Sequence, residues 1–310
     1  MNAPHLHLIL NHVPTIGTTI AIGLLLLGLL RRQEALTRVS LEVFFVITLM
    51  TLPAYLSGLA TSMQLETMPD VSVEAIRKHH DGALAAFALM LVTGFVAWLG
   101  LWQWRRVNRP STVNLVSVLV LAVLTLATMA GTATMGGEIR HPEMIPEGAG
   151  PTNGPAWIRA ETIQSLVTDY TWIWPSLEVL HFIGLWLLFG VVLLVNLRML
   201  GMIKAVSFPA LHRLLPWAML ALITNIVTGM MWVIATPDQY LANVSFFWKI
   251  GFLLLAGLDM LYLATFDEAW QVGADEDASF GNKAIAFSAI TSWVLVMYFG
   301  RMLPFLGNAF

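Results

Sequence analysis

The sequence predicts an all-α integral membrane protein of about eight transmembrane helices, built as two four-helix units with both termini outside. Three observations carry this. Hydrophobic residues fill 57% of the 310 positions. Charged residues fill only 11%, against roughly a quarter in soluble domains. Apolar runs near the ~20 residues needed to cross a roughly 30 Å hydrocarbon core recur along the chain. In lipid, an outward apolar side chain carries no hydration cost, and a helix satisfies its own backbone.

The runs fall at about 8–30, 41–63, 80–104, 112–135, 174–200, 210–235, 243–266 and 283–306. The first lacks a basic leader and a small-residue cleavage site, so it reads as a span. Basic connections follow span one (Arg31-Arg32), span three (Arg105-Arg106) and span five (Arg198, Lys204). With Arg213 and Lys283, ten of the sixteen basic residues lie on that side. The positive-inside rule makes it cytoplasmic, in a bacterial inner membrane, with a periplasmic N-terminus. Asp267, Glu268, Asp275, Glu276 and Asp277 in the last inner loop run against this pattern, but acids weigh little in orientation.

The longest connection, about 136–171, is rich in Gly and Pro and reads as structureless. It suggests a first membrane unit at 1–145, a periplasmic loop at 146–171 and a second unit at 172–310. The halves read as a duplication. A shift of 169 residues carries His12 onto His181, His80 onto Lys249 and Gly82 onto Gly251. Four helices per repeat would give both copies the same orientation.

Composition narrows the chemistry. A net charge of −3 offers no basic field for nucleic acid. The absence of Cys removes disulfides, iron–sulfur clusters, thiolate metal sites and covalently attached haem. Metal chemistry then falls to His, Met and carboxylates. The sixteen Met are scattered through the spans, as packing residues are. Trp102, Trp104, Trp172, Trp174 and Trp248 sit at expected interfaces as belt anchors.

His5, His7, His12, His79, His80, His141 and His181 fall on or near the outer half of the bundle, and only His212 lies opposite. For any one of them, a wetted interfacial imidazole is the plain reading. Seven on one side call for a reason, and an ionisable group in a span is a functional hypothesis by default. His12 and His80 each stand near the outer start of an inward-running helix, at matching depth, and are the expected ligands of a haem iron. Haem b suits a chain without Cys that can surround an apolar macrocycle with helices. His7, His79, His141 and His181 complete the expected cofactor-binding set. Arg77, Lys78 and Arg140 precede these histidines, break the positive-inside pattern and suit haem propionates.

Glu178 stands three residues before His181 and shares its helix face. A single Glu-x-x-His does not make a di-iron site, which needs a second copy and two further Glu. Glu178 could instead accept a quinol proton. Asp259, the deepest acid, could mark a proton path.

The stretch His7-Leu-Ile-Leu-Asn-His12-Val-Pro14 resembles the opening of a bacterial membrane family known as domain of unknown function 2231. His79 or His80 at the head of span three and Gly136-Gly137-Glu138-Ile139-Arg140-His141 after span four extend that likeness. Leu8 stands where the family has Pro, and the spacing to His141 is shortened. The second half resembles copper-resistance D and related cytochrome b-like membrane proteins. This likeness rests on Leu180-His181-Phe-Ile-Gly184, Asn196-Leu-Arg198-Met-Leu-Gly201, His212-Arg-Leu-Leu-Pro216-Trp217, Thr228-Gly229 and Phe247-Trp-Lys249. The 4+4 pattern also resembles haem A synthase, but spans two, four and eight lack the His that enzyme uses. The resemblances imply haem or quinone involvement.

The function expected is a haem b-containing electron-transfer subunit, possessing quinone or quinol as substrate and a periplasmic cytochrome or other redox subunit as partner. It would form part of a quinol-linked oxidoreductase. The alternatives are a solute or copper transporter built on duplicated halves, and a cofactor-free anchor or assembly subunit. Tags at either terminus are expected to be reached from the periplasm, and a tag at 31–40 only from the cytoplasm. Impermeant labelling of intact cells checks this, and labelling of the 31–40 tag would reverse the orientation.

Overall fold

Pro14 shapes the start of the chain. It has no N–H to give the carbonyl of Leu10, four residues back, and its ring crowds that carbonyl. Helix α1 (Ala3–Leu10) ends there, and α2 (His12–Arg31) begins after Asn11. Asn2 caps α1, its side chain accepting from the His5 amide at 3.2 Å. The first span therefore begins at Ala3 rather than near residue 8 and takes His5 and His7 into the helix.

The computed structural model describes residues 2–146, 148–155 and 157–306. Among these there is no strand, and eight helical segments are long and apolar enough to cross a membrane. The protein is an all-α, multi-pass membrane protein. Its chain divides into two compact units, Met1–Ile163 and Gln164–Phe310.

In the first unit, α3 (Glu34–Leu65), α4 (Val73–Val107) and α5 (Thr112–Arg140) follow α2. Helix α2 packs on α3, α3 on α4, α4 on α5 and α5 back on α2, while α1 lies against α3. Phe44, Leu25, Leu41, Met90 and Trp98 fill the middle. Small hydroxyls join the helices: Ser40 donates to Ala21 O at 3.1 Å, Thr48 to Met90 O at 3.1 Å, and Thr93 meets Thr125 at 3.0 Å. Lipid gives apolar faces little drive to associate, so packing and such bonds hold the bundle.

The long connection is not structureless. After a 3₁₀ turn at Pro142–Met144 it folds back over the start of α4. Thr152 donates to Glu138 through its amide, at 2.8 Å, and through its hydroxyl. Lys78 Nζ donates to Pro151 O at 2.8 Å, and the Ala160 amide to Asp81 at 2.9 Å. Helix α6 (Ala160–Asp169) then forms inside the stretch expected to be loop. Glu147 and Ala156 of this connection, and the chain's last four residues, lie outside the described residues.

The second unit holds α7 (Ile173–Met199), short α8 (Phe208–Leu211), α9 (Leu215–Ala235), short α10 (Pro237–Leu241), α11 (Val244–Thr265), short α12 (Asp267–Trp270) and α13 (Phe280–Met302). Helix α7 packs on α9 and on α13, and α13 packs on α11. No comparable packing joins α9 to α11 among the described residues. His212, expected at an interface, is buried in the 3₁₀ turn that leads into α9.

At one end of this unit Arg198, fully buried, donates to Val206 O, Gly273 O and Glu276 O. It thereby clamps both loops of that end. Lys204 and Lys283 hold Asp277 at 2.6 and 3.2 Å, and the Asp275 amide bonds Lys204 O at 2.8 Å. Of the acids that ran against the charge pattern, Asp277 thus binds the loop between α7 and α8 through its carboxylate and Asp275 through its backbone amide. Hydrogen bonds from Lys204 first, then Lys283, keep Asp277 below its usual carboxylate range.

Two outcomes follow from these contacts. Glu138→Ala is expected to speed tryptic cleavage at Arg159 about tenfold, since a charge-assisted hydrogen bond contributes about 1.5–3 kcal/mol; an unchanged rate would show the strap is held otherwise. The Asp277 contribution is present above the ordinary carboxylate pKa and is lost as pH falls through the lowered folded value. Hydrogen exchange of the 201–207 and 271–279 amides is therefore expected to lose protection only below about pH 4.

Candidate functional site

Two imidazoles in the first unit are held in the same way. His7 Nδ1, on α1, lies 3.2 Å from Ala54 O and 3.3 Å from Ser57 Oγ, both on α3. His79 Nδ1, on α4, lies 3.0 Å from Thr132 O on α5. A carbonyl only accepts, so in each ring Nδ1 carries the proton and Nε2 the lone pair.

The helix carbonyls are reachable because of the residues four positions on. A helical Cβ points back toward the N-terminus and covers the preceding turn. Ala54 is followed by Gly58, and Thr132 by Gly136. A Cβ on Gly58 would stand 2.8 Å from His7 Cε1, and one on Gly136 would stand 3.0 Å from His79 Cε1. Each ring occupies the space a side chain would fill. Neither Nε2 has a hydrogen-bond partner among the described residues, and His7 and His79 lie within electrostatic reach of each other.

The other expected residues of this end are placed differently. His80, also within reach of His79, has Nε2 2.8 Å from the Tyr55 hydroxyl. Tyr55 is buried and stacks on Phe87 with ring centroids 5.0 Å apart. His12 lies within reach of His7 but is exposed and held by no hydrogen bond among the described residues. His5 bonds Asn2 locally, and exposed His141 pairs with Glu143 at 2.9 Å. Glu143's own backbone amide first, then His141, holds that carboxylate below its usual range.

Lys78 is committed to Glu74, at 2.9 Å, and to Pro151 O. Arg77 is exposed, 3.9 Å from Glu161, and Arg140 is exposed at the end of α5. The set His7, His12, His79 and His80 is thus brought to one end of the unit, with His7 and His79 the two oriented rings. Among the described residues no three His, Asp or Glu converge as a metal-holding group, so the candidate is a pair.

In the second unit His181 Nδ1 lies 2.8 Å from Thr228 Oγ1, and the ring tilts against Trp232 with centroids 5.1 Å apart. Glu178 is exposed and joins none of these contacts. Asp259, 6% exposed, lies against Asn196. Tyr55, Gly58 and Thr132 were not foreseen as parts of the first site. The signal available for Gly58 and Gly136 was their type: a glycine costs about 1 kcal/mol in a helix interior and asks for a reason. No family model, curated protein or solved structure matches the chain.

Proposed function

We propose that the first unit holds haem b between His7 and His79, at the periplasmic face of a bacterial inner membrane, and passes electrons between quinol and a periplasmic redox partner. One observation carries the reading. Two imidazoles from different helices, near each other, each have Nδ1 fixed by a backbone carbonyl and Nε2 left free. This is how proteins orient a metal-ligating imidazole and raise its basicity. The donor chemistry fits: two neutral nitrogen ligands without Cys suit a non-covalent, bis-His haem. The sequence favoured His12 and His80, but Tyr55 occupies Nε2 of His80, which makes His7 and His79 the better pair.

When bound, haem supplies one-electron chemistry, and the chain's own residues bind and orient it. Ala54 and Thr132 fix the tautomers. Gly58 and Gly136 leave the rings room. The Tyr55–His80 hydrogen bond can hold and pass a proton beside the site, and the chain at Pro151 and Ala160 is bonded to the start of α4.

Purified protein from haem-replete cells is expected to give a pyridine haemochrome of haem b and a low-spin reduced spectrum. His7→Ala and His79→Ala each abolish the low-spin signal, whereas His12→Ala keeps it. A colourless wild type would end the proposal, and loss with His12→Ala alone would restore the first pairing. Gly58→Val and Gly136→Val are expected to act like the histidine variants, because each Cβ enters its ring's space. Normal spectra from both would show that the glycines do not matter.

A further inference from the structure

Lys249 lies within a membrane-spanning helix and has no hydrogen-bond or ion-pair partner among the described residues. A Cβ on Gly300 of α13 would stand 3.5 Å from its Nζ, so the ammonium rests against a glycine. An ammonium inside a span is costly, and such groups face a bundle interior or pair with something. His181 of α7 lies within electrostatic reach of it.

The proton on His181 can be assigned. Thr228 has one hydroxyl proton and gives it to Thr224 O at 2.8 Å. Toward His181 Nδ1 it therefore accepts, which leaves the lone pair on Nε2. Trp232, packed against this ring, has a buried indole N–H with no partner among the described residues. Two unused donors and one unused acceptor thus gather where α7, α9, α11 and α13 converge. The helices that bear Trp232 and Lys249, α9 and α11, are the neighbouring pair without comparable packing among the described residues.

We propose that His181, Trp232 and Lys249 form a binding site in the second unit for the head group of a lipid-soluble quinol or quinone. This deepens the quinol half of the function proposed above and does not depend on the haem. The ligand needs an oxygen that accepts from a cation and an indole, a hydroxyl that donates to an imidazole, and a flat aromatic body to lie on Trp232. It also needs lipid solubility, since the polar groups lie among membrane-spanning helices. A hydroquinone has all four properties, whereas a fatty-acid carboxylate lacks the ring and the donated hydroxyl. On deprotonation the hydroquinone O–H bond breaks, the proton bonds His181 Nε2, and the oxygen keeps the electron pair beside the Lys249 ammonium.

The test is binding of 2-heptyl-4-hydroxyquinoline N-oxide, a fluorescent quinol mimic, to the full purified chain, with competition by decylubiquinone and by oleate. Wild type is expected to quench the probe saturably at one site per chain, and decylubiquinone displaces it. Lys249→Met weakens binding about tenfold, the loss of one charge-assisted hydrogen bond. Trp232→Phe keeps the ring, weakens binding less, and serves if Lys249→Met does not fold. Trp217→Phe, on an exposed face, binds as wild type. Equal affinity in both site variants, or displacement by oleate alone, overturns the proposal. The haemochrome of each variant is read in parallel: quench with no haem spectrum leaves this site standing and removes the haem, and a haem spectrum with no quench does the reverse.

Discussion

Hydrocarbon offers no partner to a polar group, so every N–H, carbonyl and hydroxyl placed in it must find one within the chain. That constraint makes the protein helical, and it also dictates the side-chain bonding of its interior. Thr48, Thr93, Ser40 and Asn114 turn to helix carbonyls, the last through Asn114 Nδ2 to Val96 O at 2.8 Å. The same need draws His7 and His79 onto the carbonyls of Ala54 and Thr132. Against this background the groups left over are informative. Among the described residues, two imidazole nitrogens in the first unit, and an ammonium, an indole N–H and an imidazole nitrogen in the second, have no hydrogen-bond partner, and each set lies together at one place in its unit, unlike scattered groups such as Trp293 Nε1 and Gln239 Oε1.

Carbonyl access is what sets the two oriented histidines apart from their neighbours. In a helix an acceptor oxygen is already engaged and is shielded by the side chain one turn on. A further bond from outside is easier with that shield removed, and glycine removes it at a modest cost in helix propensity. His80 has no such helix carbonyl and takes a tyrosine hydroxyl. His12 has neither and stays at the surface.

The sequence made the membrane class, the eight spans and their approximate limits readable, because length and hydropathy are set by the bilayer and need no tertiary information. The start of the first span was missed since His5 and His7 look polar in a window average, although Pro14 announced the break at Leu10. The long connection read as structureless because its Gly and Pro content conceals bonds made to distant residues, Glu138, Lys78 and Asp81. Depth arguments brought four histidines to one end of the first unit. They ranked His12 and His80 first, on depth alone; what each ring bonds was not readable, because Ala54 and Thr132 contribute only backbone atoms that no side-chain pattern reveals. Glu178 shares a helix face with His181 on paper, yet it is exposed and makes none of that ring's contacts.

The placement of those backbone acceptors also bears on how the protein is made. Every atom that orients His7 and His79 belongs to the stretch from residue 7 to residue 136, inside the first compact unit. A nascent chain presents His7 first, but the ring has no anchor until α3 has entered the bilayer, and His79 none until α5 has followed. Both rings are therefore anchored once the fourth span has inserted, while most of the second unit is still to be translated.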